Sequence, residues 1–137
     1  MMLRTYSGVV YPAQCDAMGH FNVAHYVAAF DQAMWHTVHA LGYDVDWQHS
    51  RNEGWADVRH DVTFSRELKA GSLYYVESEV TDLGRTSITT SHFLRTMDGV
   101  LSATDQVRSI YFDLKERKAL PLPESIRTAA LDKMPAK

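Results

Sequence analysis

The strongest constraint on the fold is one long stretch of helical spacing in a chain whose other patterned segments mostly indicate strands. Residues suited to a core recur there every three or four positions: Val23, Val27, Phe30, Met34, Thr37 and Leu41. Asn22 is a favourable N-cap, and Gly42 suits the position just past the end of a helix. Alanines at positions 24, 28, 29, 33 and 40 keep the other sides slim. We therefore predict a central helix that a sheet wraps closely.

The segments on either side of this helix predict strands in hairpin order. They are rich in Tyr, Val, Thr, Ile and Phe and cover Leu3–Tyr11, Leu73–Leu83, Thr86–Met97 and Val100–Phe112. Pro12 ends the first strand because it lacks an N–H for a ladder. Turns are predicted at Gly84-Arg85 and at Asp98-Gly99, the second being a strong hairpin signal. A short helix is predicted from Glu124 to Leu131.

A further strand follows the polar stretch from Tyr43 to Gly54. Its residues alternate, so that one predicted face carries Ala56, Val58, His60, Val62 and Phe64, and the other Asp57, Arg59, Asp61 and Thr63. We therefore expect this strand to be half-buried.

Together these elements predict an α+β fold in which a curved antiparallel sheet of about five strands wraps one long helix. With 137 residues, the chain fits a single domain over positions 1–137. A single curled layer leaves sheet edge to be covered, so we expect a homodimer or a tetramer built from two such dimers.

Composition excludes several classes of function. The net charge is −3 and the 14 basic residues are scattered, which gives no basic face for nucleic acid. No run approaches the ~20 apolar residues of a membrane span, and the N-terminal sequence MMLRTYSG lacks a signal-peptide core. The single cysteine agrees with a reducing compartment. We expect a cytoplasmic protein that binds neither nucleic acid nor membrane.

The densest cluster of reactive side chains lies just before the predicted helix, from Gln14 to Asn22. A helix N-terminus offers unpaired N–H groups and a partial positive charge, which stabilise the oxyanion formed when a carbonyl is attacked. Asp16 is close enough in sequence to act on the same carbonyl, as a general base or as a nucleophile. Taken alone, Asp16 is more readily explained as a residue that caps or braces its loop.

The pattern around Asp16 adds a resemblance to this argument. Asp16, Gly19, His20, Asn22 and Tyr26 form D-x-x-G-H-x-N-x-x-x-Y, which resembles the signature of the 4-hydroxybenzoyl-CoA thioesterase-like branch of the hotdog superfamily. The order of elements is similar to that family's over roughly residues 3–126.

The resemblance implies an acyl-CoA thioesterase that needs no metal or dissociable cofactor. It implies that Asp16 is the catalytic carboxylate, that the Val23 N–H binds the thioester oxygen, and that the site is shared across a dimer interface. The better-known hydroxybenzoyl enzymes carry an apolar residue where this chain has His20, so a hydroxybenzoyl substrate is not implied. His20 is a candidate for holding a water, for orienting Asp16, or for fixing its own loop.

Other residues are candidates for substrate binding. From the motif we include Gly19, Asn22 and Tyr26. We also include Arg85, because its positive charge suits the phosphates of coenzyme A. The charges of Arg66, Lys69 and Arg95 suit the same phosphates. Cys15 is interpreted as a bystander because no His and Asn pairing is evident for it. The seven histidines do not form an evident set of three or four metal ligands.

Two other functions are compatible with such a chain. A hotdog enoyl-CoA hydratase also pairs an Asp with a His near the helix, but its Asp-x-Asn-Pro-x-His pattern differs from the spacing of Asp16 and His20 here. A non-catalytic acyl-CoA-binding module would normally act on an attached domain, for which this chain has no room.

Overall fold

A computed structural model describes residues 2–135 of the protein. The elements in chain order are β1 (Leu3–Val9), a short 3-10 turn (Pro12–Gln14), α1 (Val23–Ala40), α2 (Trp47–Ser50), β2 (Glu53–Phe64), β3 (Leu73–Leu83), β4 (Ser87–Thr96), β5 (Leu101–Asp113), β6 (Lys118–Ala119) and α3 (Glu124–Lys133). The predicted order of strand, long helix and further strands is confirmed. The segment predicted as a polar stretch also contains the short helix α2. Within residues 2–135, none of the helices has the length and apolarity that a membrane span requires.

The strands form one antiparallel sheet in the order β1-β3-β4-β5-β2, and β6 pairs with β5. The sheet curls around one face of α1, which confirms the predicted α+β architecture. The hairpin predicted at Asp98-Gly99 is also found, and Gly99 has the positive φ of 90° that favours glycine there.

Local sequence explains where α1 begins and ends. The Asn22 side chain accepts a hydrogen bond from the Ala24 N–H at 2.9 Å, and Gly42 follows the helix with φ of 98°. The buried face consists of Tyr26, Ala29, Phe30, Ala33, Met34, Thr37 and Val38. Val23, predicted on this face, is instead 57% exposed, because as the first residue of the helix it borders a cavity.

The prediction that β2 is half-buried with simple alternation is wrong. A register shift between Asp57 and Arg59 inserts Val58 as an extra residue. Asp57 and His60 therefore share a face, and their side chains are hydrogen-bonded at 3.1 Å. Most residues from Asp57 to Phe64 are exposed, because β2 is an edge strand that α1 does not cover.

The space between α1 and the sheet is filled by two apolar clusters. One surrounds Phe30 and Tyr74 near the start of the helix, and the other surrounds Met34 and Tyr111 towards its end. The first cluster supports the helix N-terminus, where the candidate site lies.

A row of polar side chains, buried except for His60, crosses the sheet at the level where the two clusters meet. We call it the polar seam, and it consists of Thr5, Ser78, His92, Asp105 and His60. Ser78 Oγ lies 2.8 Å from Thr5 Oγ1 and 2.6 Å from His92 Nδ1. His60 Nδ1 lies 2.7 Å from Asp105 Oδ2. Asp105 Oδ1 has no hydrogen-bond partner among the described residues.

Candidate functional site

A cavity of about 570 Å³ opens beside the first turn of α1. The residues that line it are Asp16, Met18, His20, Phe21, Val23, Tyr26, Phe64, Ser65, Arg66 and Glu67. Four residues predicted from the motif, Asp16, His20, Val23 and Tyr26, are thus brought together around one space.

The Asp16 carboxylate is held by its own loop through one oxygen. Oδ1 accepts hydrogen bonds from the backbone N–H groups of Met18 at 2.9 Å and His20 at 3.3 Å. The Asp16 N–H donates to the His20 carbonyl at 2.9 Å, which closes the loop from the other side. Oδ2 has no hydrogen-bond partner among residues 2–135. The carboxylate therefore braces the loop and still has one oxygen available to react.

The N-terminus of α1 provides one unpaired N–H at the same cavity. The Asn22 side chain takes the Ala24 N–H, and the Asn22 carbonyl takes the N–H groups of His25 and Tyr26 at 2.9 and 3.2 Å. The Val23 N–H has no acceptor in the described part of the chain. An unpaired N–H at the positive end of a helix is suited to binding a carbonyl oxygen that becomes negative.

The His20 ring points to a carboxylate other than Asp16. Its Nε2 lies 3.0 Å from Glu67 Oε2, and the side chains are 27% and 73% exposed. The His20 backbone also forms a bridge with Lys69. The ring therefore ties the loop before α1 to the segment after β2, while the backbone of His20 holds Asp16.

Tyr26 forms a wall of the cavity from the core side. Its hydroxyl lies 3.0 Å from Ser102 Oγ and donates to the Arg66 carbonyl at 3.4 Å. Burial raises the pKa of the Tyr26 phenol above its ordinary 10, and this outweighs the hydrogen bond to Ser102. The phenol is thus neutral at physiological pH, so it is no general base.

The other residues predicted to bind substrate lie at different distances from this cavity. Gly19 provides the positive φ of 82° that the Asp16 loop needs, and Asn22 is occupied as the helix cap. Arg85 lies at the turn between β3 and β4, where its carbonyl accepts the Leu122 N–H. This turn is at the far end of β3 from the cavity, roughly 30 Å along the strand. Within one chain, Arg85 is therefore not part of the site.

No cysteine is among the residues that line the cavity. The Cys15 Sγ lies 3.7 Å from the Tyr11 carbonyl, and the side chain packs against the first apolar cluster. Among the described residues, no group of three or more His, Cys, Asp and Glu is arranged to hold a metal ion.

Sequence reasoning missed the part of the site that follows β2. Phe64, Ser65 and Glu67 line the cavity, and the Phe64 ring meets the Tyr26 ring edge-on at 5.1 Å between centroids. A signal was present, because Ser65-Arg66-Glu67 is a polar run placed directly after a strand. The sequence did not indicate that this strand ends beside the helix N-terminus.

Comparison with known families gives one match over most of the chain. Residues 10–130 match the model of the thioesterase-like superfamily. No curated protein shows significant sequence similarity to the chain.

Several solved structures are similar to this one at low sequence identity. The hypothetical protein SAV2348 from Staphylococcus aureus, solved in complex with CoA, has a TM-score of 0.87 and 18% identity, with 96% of this chain and 85% of that one covered. The 1,4-dihydroxy-2-naphthoyl-CoA thioesterase Slr0204 from Synechocystis has a TM-score of 0.82 and 20% identity, covering 96% and 97%. A thioesterase from Thermus thermophilus, complexed with coenzyme A and Zn, has a TM-score of 0.78 and 21% identity, covering 96% and 91%.

Proposed function

The chain belongs to the thioesterase-like superfamily, and on this premise we propose that it hydrolyses acyl-CoA thioesters at the cavity beside α1. The match confirms the predicted family and class of enzyme, and the structural likenesses confirm the hotdog fold. One observation carries the proposal: a carboxylate with a free oxygen, Asp16, and an unpaired N–H, that of Val23, line the same cavity.

In this proposal the Val23 N–H receives the thioester carbonyl oxygen. Attack on the carbonyl carbon moves negative charge onto that oxygen, so the hydrogen bond and the helix dipole act most strongly in the transition state. Asn22 contributes indirectly. Its side chain accepts the Ala24 N–H and its carbonyl accepts the N–H groups of His25 and Tyr26, so the Val23 N–H is left as the unpaired donor.

Asp16 supplies either a base or a nucleophile. As a base, it takes a proton from water while the oxygen of that water attacks the carbonyl carbon. As a nucleophile, it forms a mixed anhydride, coenzyme A leaves as the thiolate, and water then hydrolyses the anhydride. Both routes consume one water and release the acid and the thiol. Single-turnover hydrolysis in H₂¹⁸O tests the second route, since ¹⁸O in Asp16 indicates an anhydride.

We assign His20 and Gly19 positioning roles within the loop. The His20 backbone holds Asp16 on both sides, and its ring anchors the loop to Glu67. Gly19 allows the turn between them because a side chain is strained at its positive φ.

For the phosphates of coenzyme A, we propose Arg66, the one Arg or Lys among the described residues that line the cavity. Arg66 lines the cavity, and a guanidinium binds phosphate through paired N–H donors. Arg85 is too distant to reach the same ligand within one chain, so its predicted role requires the partner subunit.

We also propose that the enzyme is a homodimer joined along β2. This edge strand is long, and it exposes Val58 at 54% and Phe64 at 47%. An uncovered edge with apolar side chains favours pairing with a second copy, which places a partner next to the cavity at Phe64. A monomer in sedimentation velocity at micromolar concentration would contradict this.

The proposed function is tested with a panel of acyl-CoAs by following the free thiol. Asp16→Asn should lower kcat/KM on the best substrate by about 100-fold or more. Asp44→Asn is a matched control, because Asp44 also accepts a backbone N–H, that of Asp46 at 2.9 Å, in a loop outside the cavity. It should retain activity within about twofold.

Two outcomes would reject parts of the proposal. Equal activity of Asp16→Asn and the unaltered protein would remove Asp16 from the chemistry. Tight binding of acyl-CoAs without release of thiol from any of them would indicate a binding module instead of a hydrolase.

A further inference from the structure

A second, smaller cavity lies in the groove between α1 and β2. It has a volume of about 170 Å³ and is lined by Asp31, Met34, Trp35, Val38, Trp55 and Asp57. Met34 is eleven residues after Val23, so the cavity is about 16 Å along the helix from the thioester site. No step proposed above uses these residues.

The walls of the second cavity are aromatic and apolar. Trp55 is held in place by edge contacts with Tyr111 and Tyr43, whose ring centroids lie 5.0 and 5.8 Å away. Trp35, on the helix side, is 46% exposed. Two indoles in one small cavity offer electron-rich faces, which attract cations.

The charged groups at this cavity are carboxylates. Asp57 is fixed, since its Oδ1 accepts from Ser109 Oγ at 2.6 Å and its Oδ2 lies 3.1 Å from His60 Nε2. Both nitrogens of the His60 ring are occupied, because Nδ1 lies 2.7 Å from Asp105. Asp31 has no ion pair or hydrogen bond of its side chain among residues 2–135. None of the six lining residues is basic.

We propose that this second cavity binds an alkylammonium group. Its volume is that of roughly five or six water-sized groups, which matches a nitrogen with three or four methyl groups. The methyl groups would contact Met34 and Val38, and the positive charge would lie between the indoles and the two carboxylates. A neutral group of the same shape would lose the attraction to Asp31 and Asp57.

An alkylammonium group has two possible sources. It is either a free alkylammonium compound or the end of an acyl group on coenzyme A, and the second source rests on the proposed function. The separation of about 16 Å exceeds the length of a short acyl chain, so a short acyl group bound in the first cavity does not reach the second cavity of the same chain. The acyl source therefore requires that the second cavity of the partner subunit lies beside the first.

Binding is measured first with tetramethylammonium chloride, following tryptophan fluorescence and the indole N–H signals in NMR spectra. Sodium chloride at equal ionic strength and tert-butanol, a neutral compound of similar shape, are the controls. We expect saturable binding of tetramethylammonium that perturbs Trp35 and Trp55 and is at least about fivefold tighter than that of tert-butanol. Asp31→Asn should weaken binding by about threefold or more, whereas Asp44→Asn should not change it.

The source is identified with a pair of thioesters of equal shape, 4-trimethylammoniobutyryl-CoA and 5,5-dimethylhexanoyl-CoA. If tetramethylammonium inhibits hydrolysis of the first thioester but not of the second, and Asp31→Asn abolishes this inhibition, the cavity binds the acyl group. If tetramethylammonium binds saturably but inhibits hydrolysis of both thioesters equally or of neither, the cavity binds a free alkylammonium compound.

The failures of the two proposals are distinguishable. If the protein releases thiol from a neutral acyl-CoA but does not bind tetramethylammonium saturably, only the second site is overturned. Saturable binding without hydrolysis of any thioester overturns only the proposed function. Equal affinity for tetramethylammonium and tert-butanol, or an Asp31→Asn variant that binds like the unaltered protein, also overturns the second site.

Discussion

Lowering the pH from 7 to 4.5 should reduce the free energy of unfolding by about 2 kcal/mol through one residue of the polar seam, His92. The His92 side chain is fully buried, with Nδ1 2.6 Å from Ser78 Oγ and Nε2 2.8 Å from Thr90 Oγ1. Burial and, next, the charge of His60 lower the pKa of His92 from 6.5 to about 4. The folded protein therefore resists a proton that the unfolded chain accepts.

The sign and size of the effect follow from these two pKa values. The contribution of His92 is fully present above pH 6.5 and is lost progressively as the pH falls towards 4, below which it stays constant. The complete loss is about 3 kcal/mol, at 1.36 kcal/mol for each pKa unit. His60 acts in the opposite direction: its hydrogen bonds and charge interactions with Asp105 and Asp57 outweigh burial and raise its pKa. Its contribution is present below pH 6.5 and is lost as the pH rises through its folded-state pKa.

The assay is urea unfolding at one protein concentration and at several pH values from 7 to 4.5. His92→Gln keeps groups that hydrogen-bond to Ser78 and Thr90 but does not titrate, so it should lose about 2 kcal/mol less than the unaltered protein over this range. His49→Gln, in the exposed short helix α2, should follow the unaltered protein. Parallel loss of stability in His92→Gln and the unaltered protein would refute the reasoning.

Three further predictions concern single side chains. Gly8→Ala should destabilise the protein by about 1–3 kcal/mol in urea unfolding, because a Cβ there would lie 2.5 Å from the Tyr74 hydroxyl; unchanged stability would show that Tyr74 moves freely. Cys15→Ala should leave the rate of thiol release from acyl-CoA unchanged, since Cys15 does not line the cavity, and loss of turnover in a folded variant would contradict this. Glu67→Gln should change the free energy of unfolding by less than about 1 kcal/mol, because the Glu67 side chain is 73% exposed where it meets His20; a larger loss in the same unfolding assay would contradict this.

The sequence determined the parts of this protein that depend on short stretches of chain. The helical period of apolar residues predicted α1, and the capping residues Asn22 and Gly42 predicted its ends. The predicted C-terminal end lies within one residue of the observed one. Alternation and turn residues located the strands of the hairpins, and β3 spans the predicted residues. The motif placed Asp16 beside the helix N-terminus because a loop of six residues leaves them little freedom to separate.

Only the tertiary structure decided the features that depend on pairing between distant segments. The extra residue Val58 in β2 is defined by its register against β5, and it reverses the faces that simple alternation predicts. The contact of Glu67 with His20 and the remoteness of Arg85 depend on where strands end in the folded sheet. Such pairings are not encoded in any local period, because they result from how the whole chain buries its apolar surface at once.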